Sequence, residues 1–140
     1  MEKPYRMIEH TADIGIQVTA DTASALFSQV AWSMIDLMTE AEAINLTEEK
    51  RVTLEGEDYK DLMIRWLNEI LFWFDTETFV PGRFTIEEIE SRKLVAKLWG
   101  ERFDRSRHGI GYDIKAATYH ELRVEELEGG HWFAQVIFDV

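Results

Sequence analysis

Two periods of hydrophobic and polar residues organise this 140-residue chain. Ile14, Ile16 and Val18 alternate with Gly15, Gln17 and Thr19, the two-residue period of a half-buried strand over Ile14 to Ala20. Tyr5 to Glu9 has the composition of a neighbouring strand, with His10-Thr11-Ala12-Asp13 as the turn between them. The period then lengthens: Leu26, Val30, Met34 and Leu37 recur at helical spacing, and Phe27 and Ile35 widen the stripe. Asp21 or Thr22 can cap this helix, which runs through Met38.

Arg51 to Glu55 returns to a strand pattern, and a second helix follows from about Tyr59 to Phe74. Leu62, Ile64, Trp66, Leu67, Ile70, Leu71 and Phe74 make that helix largely buried. Pro81-Gly82 reads as a turn. Four strands complete the pattern, at Phe84 to Glu90, Leu94 to Trp99, Ala117 to Glu125 and Phe133 to Phe138, with Gly129-Gly130 as the hairpin between the last two. Strands, two helices and then mostly strands predict an α+β fold, two helices packed on a largely antiparallel sheet.

Composition narrows this further. A length of 140 residues suits one domain over residues 1–140, and a 46% hydrophobic share is enough for a packed core. Fifteen Lys and Arg against 27 Asp and Glu give −12, which disfavours nucleic-acid binding through net charge and suits a cationic partner or a bound metal ion. The absence of cysteine removes disulfides, thiolate metal sites and thiol nucleophiles. The charged start MEKPYRMIEH is no signal peptide, and no apolar run reaches membrane-spanning length. The expectation is a soluble, cytoplasmic protein.

Four places carry candidate chemistry. In the His10–Gly15 turn, Asp13 is either a hard oxygen ligand with His10 beside it or a residue that satisfies turn amides. At the other end, Asp139 lies beside Val140 and its α-carboxylate. Two anions so close call for a cation, magnesium, calcium or manganese by ligand type, unless the end is frayed. The stretch 109–120 carries Lys115 and His120, with Arg102, Arg105, Arg107 and His108 upstream. It reads either as a surface for phosphate, nucleotide or an acidic partner or as a mobile loop. Glu69 lies among bulky residues of the second helix, along its polar face or toward a site. The five tryptophans at 32, 66, 73, 99 and 132 read as core or interface anchors. No GxSxG or HExxH pattern is present.

Taken together, HTADIGI at 10–16, WLNEILF at 66–72, IKAATYH at 114–120 and the final IFDV at 137–140 resemble the archease family in order and separation. The resemblance covers essentially the whole chain. It implies an accessory protein for tRNA splicing and RNA repair, which activates the GTP-dependent, manganese-dependent RNA-splicing ligase by promoting its guanylylation and repeated turnover. By similarity, the protein is not itself an enzyme, and any RNA contact is through the ligase. Asp13, Asp139 and the carboxylate of Val140 would be metal ligands, and His10, Glu69 and Lys115 would face the partner or its active site. The alternatives are a metal-dependent enzyme using Lys115 as a phosphate clamp, and a chaperone-like binding module.

Overall fold

The computed structural model describes residues 3–9 and 13–140. Strands β1 (Tyr5–Glu9) and β2 (Asp13–Ala20) lead into helix α1 (Ala23–Met38) and a short 3-10 turn at Ala41–Ala43. Strand β3 (Glu48–Glu55), helix α2 (Tyr59–Glu77) and strands β4 (Phe79–Glu90), β5 (Lys93–Arg102), β6 (Ala116–Glu126) and β7 (Trp132–Asp139) follow.

The α+β class holds, but the strands divide between two antiparallel sheets. One has the order β1-β2-β7-β6 and the other β3-β5-β4. Each helix touches both sheets, α1 against β2, β7 and β4, and α2 against β6 and the β3-β5-β4 sheet. One core therefore joins everything, with Phe27, Trp66, Leu67, Ile16, Leu94 and Phe138 fully enclosed. Each such side chain stabilises the fold by roughly 1.5–3 kcal/mol through removal from water. Trp66 also donates its indole N–H to the Phe27 carbonyl at 3.0 Å, so its one polar atom is not stranded. Trp32, Trp73, Trp99 and Trp132 are half-buried, in keeping with anchors at the margin of the core.

Helix α1 starts where the sequence allows: Thr22, not Asp21, accepts the Ala25 amide at 3.0 Å. Helix α2 is capped by Asp58 and runs one turn past Phe74 before ending on Thr78 in a left-handed conformation, φ 51°. That extra turn, Asp75–Glu77, is polar and exposed, so the apolar stripe carries no trace of it.

Pro81-Gly82 is not a turn. Both residues lie inside β4, where the register with β5 shifts between Pro81 and Arg83. Proline lacks the N–H a regular ladder needs, and an edge-strand bulge tolerates that. Gly82 leaves room for Ile44, whose Cβ would lie 2.9 Å from an added methyl. The expected hairpin at Gly129-Gly130 is present, with φ of 89° and 87°. Among the described residues no helix is long and apolar enough to cross a membrane.

Candidate functional site

Strand β2 lies antiparallel to β7, and their register sets Asp13 directly opposite Asp139. The two carboxylates that the sequence places 126 positions apart are cross-strand neighbours. Close approach of these strands is eased at Gly15, opposite Ile137, where an added methyl would meet the Ile137 side chain at 2.5 Å. Asp139 also faces Ala116 of β6, and the Lys115 amide donates to its carbonyl at 2.8 Å. One residue of β7 thus ties together the starts of β2 and β6. Asp13 is half-buried, while Lys115, Asp139 and Val140 are exposed.

Like charges directly opposite on adjacent strands are destabilising. Among the described residues neither Asp13 nor Asp139 has a hydrogen-bond or ion-pair partner for its carboxylate, and the Lys115 ammonium has no ion-pair partner. Uncompensated carboxylates at one end of the sheet supply hard oxygen donors. No group of three or more His, Cys, Asp or Glu side chains able to hold a metal is gathered among the described residues. The two aspartates alone would leave most coordination positions to water or to a partner.

His10, with Thr11 and Ala12, lies outside the described residues. Glu69 is half-buried and borders an open cavity of about 500 Å³ between α2 and β3, with Leu54, Glu55, Arg65, Asn68 and Phe72. Its neighbour Asn68 reaches β6 instead: its Oδ1 accepts the Ala117 amide at 2.9 Å and its Nδ2 donates to the Ala117 carbonyl at 3.2 Å. Asn68 stands inside the WLNEILF motif, yet motif reading singled out only Glu69. Periodicity gave no signal for it, because its partner lies 49 residues on.

The basic stretch upstream behaves differently. His108 is buried and stacks on Phe103, with ring centroids 5.2 Å apart. Its Nδ1 accepts the Asp104 amide at 2.8 Å, so Nε2 carries the ring proton toward Glu101 at 3.0 Å. Arg107 pairs with Glu101 as well, and the Asn45 amide donates to it at 2.6 Å. Burial works against the charge of Glu101, but the bonds from Arg107, Asn45 and His108 outweigh it and hold its carboxyl down at about 2. Farther on, the Gly111 and Tyr112 amides cap the end of α1 at the Met38 and Leu37 carbonyls, 2.8 and 2.9 Å away. This segment is pinned to the body, with Arg107 and His108 engaged within it, while Arg102, Arg105 and Arg107 are exposed to solvent.

Comparison with known proteins bears on the family and the fold. Residues 5–140 match the archease protein family. The chain is 36% identical to an archease of Pyrococcus furiosus, with 99% of each chain covered. It is 35% identical to one from Methanopyrus kandleri, over 98% of this chain and 99% of that one. The solution structure of protein 1598 from Methanobacterium thermoautotrophicum superposes with a TM-score of 0.82 at 28% identity, covering 99% of this chain and all of the other. The chain belongs to the archease family.

Proposed function

We propose that this protein activates a GTP-dependent RNA-splicing ligase of the manganese-dependent, tRNA-exon-joining class, promoting ligase guanylylation and repeated turnover in the cytoplasm. Membership of the archease family supports an accessory role. The observation that carries the reading is the facing pair Asp13 and Asp139, two cross-strand carboxylates without a partner among the described residues. Such a pair favours a divalent cation between them, and its oxygen chemistry fits magnesium, calcium or manganese.

In this proposal Asp13 and Asp139 hold the cation. The bound ion would supply positive charge to phosphate oxygens of the ligase–nucleotide complex. Lys115, whose backbone is fixed next to Asp139, adds an ammonium for the same charge. His10 and Glu69 face the partner.

Ligation by the cognate ligase, at limiting GTP and manganese, is measured with and without the protein. Wild type should give multiple turnovers, and Asp13→Ala and Asp139→Ala should give the ligase-alone rate while melting as wild type does. Undiminished multiple-turnover ligation with both variants overturns the proposal.

A further inference from the structure

The first residues of β6 carry Lys115 to its place, yet the backbone ladder there is short. Among the described residues β6 is an edge strand, paired with β7 alone. Its ladder runs for three residues, Ala116 to Thr118, and is then interrupted until Arg123. Glu121, with φ 50°, lies in the interrupted stretch. A three-residue strip at the edge of a sheet, with a break behind it, has few ladder bonds to fix its register.

Asn68 supplies what the strip lacks. Its side-chain amide pairs with both the N–H and the C=O of Ala117, as another strand would at that edge. Ala117 faces Phe138, Ala116 faces Asp139, and the Lys115 amide bonds to the Asp139 carbonyl. On its own side Asn68 is carried by a helix whose Trp66, Leu67, Ile70 and Leu71 are buried. Asn68 thus adds a polar tie between α2 and the start of β6, beside the apolar packing of Ile114, Ala117 and Phe138 in the core.

We infer that Asn68 is a positioning residue, which clamps the start of β6 to α2 and thereby holds Lys115 against Asp139. Resting on the proposed activation of an RNA ligase, the inference assigns a role to a side chain that touches neither metal nor nucleotide. A carboxamide is required because one group must donate and accept at once; alanine does neither, and an aspartate only accepts.

The test follows the backbone amides of the full chain by NMR hydrogen exchange and the ligase by its turnover. In Asn68→Ala the amides of Ala117 and Lys115 should exchange about tenfold faster, with shifted Lys115 and Asp139 resonances, and stimulation should drop by a similar factor. Asn68→Asp, which still accepts the Ala117 amide, should lie between and serves if the alanine variant does not fold. Tyr119→Phe is the control. It removes the other side-chain tie between β6 and α2, the 2.7 Å bond from the Tyr119 hydroxyl to Asp61, which starts from the first residue of the interrupted stretch, and should leave Lys115 unchanged. Wild-type Lys115 protection in the Asn68 variants, or undiminished stimulation by them, overturns the inference. Asp13→Ala in the same assay separates the two ideas. If it stimulates normally the activation mechanism fails, whereas Lys115 exchange still reports on Asn68.

Discussion

Two carboxylate environments in this molecule have opposite endings. Glu101 is wrapped by a guanidinium, an imidazole and a backbone amide. Asp13 and Asp139 face one another, and no described residue answers either charge. The first arrangement is complete within the chain and stabilises a loop. The second has no such counter-charge among the described residues, and the proposed function draws on that difference. A charge that the fold has already neutralised is structural, whereas the proposed activity needs carboxylates that the fold leaves without a counter-charge.

The sharpest way to break this contrast is to neutralise one carboxylate on each side. Asp139→Asn should reduce ligase stimulation to background while leaving the melting temperature unchanged or slightly higher, since it relieves a repulsion. Glu101→Gln should leave stimulation within about twofold. Turnover assays and thermal melts on the same preparations read both, and a reversed pattern would dissolve the distinction.

Next in size is a backbone test of the loop. An added methyl at Gly111 would lie 2.2 Å from the Leu37 carbonyl oxygen, which cannot step aside without opening the end of α1. Gly111→Ala should cost about 3 kcal/mol, seen as a melting point lower by roughly 10 °C. A shift of a degree or two would mean the loop is not fastened there.

Acid unfolding probes Glu101 itself. Its folded value, about 2, lies below the ordinary 4.5. Its stabilising contribution is therefore complete above about pH 4.5 and disappears as the pH falls toward 2. Glu101→Gln should lose about 2 kcal/mol at neutral pH. The gap between the two stability curves should close through that window. Asp61, also held at about 2 by the Tyr119 hydroxyl, the Glu57 amide and Arg65, titrates in both proteins and cancels from the difference.

The smallest effect belongs to the acidic end. Gly15→Ala would meet the tip of the Ile137 side chain at 2.5 Å and the Val136 carbonyl oxygen at 3.1 Å, a looser fit than at Gly111, and should cost about 1 kcal/mol by chemical denaturation. A loss as large as that at Gly111 would show that the facing aspartates depend on tight packing beneath them.

Local pattern carried much of the fold. The stripes of α1 and α2, the alternation of β2 and the glycine pair before β7 act over a few residues and read directly. What escaped depends on distant partners. Pro81-Gly82 has the local chemistry of a turn, and only its pairing beside Gly100 and its contact with Ile44 make it a bulge. The basic residues at 102–108 suggested an outward-facing surface, although Glu101 and Asp104 in the same stretch already offered the counter-charges. The pairing of Asp13 with Asp139 is a matter of sheet register, which neither end of the chain encodes alone. Whole-chain resemblance suggested that meeting, and the β2–β7 ladder supplies its geometry.

The position of β7 has a consequence for the order in which the protein is made. β7 lies between β2 and β6, so the first sheet lacks an interior strand until residues 132–139 have emerged from the ribosome. The β3-β5-β4 sheet, drawn from one contiguous stretch, can assemble much sooner. Contacts this far apart in sequence close slowly. Until they do, the edges of β2 and β6 are open to chaperones and to aggregation. The acidic end of the sheet is thus completed only when β7 is in place, and partially synthesised chains have no means of presenting it.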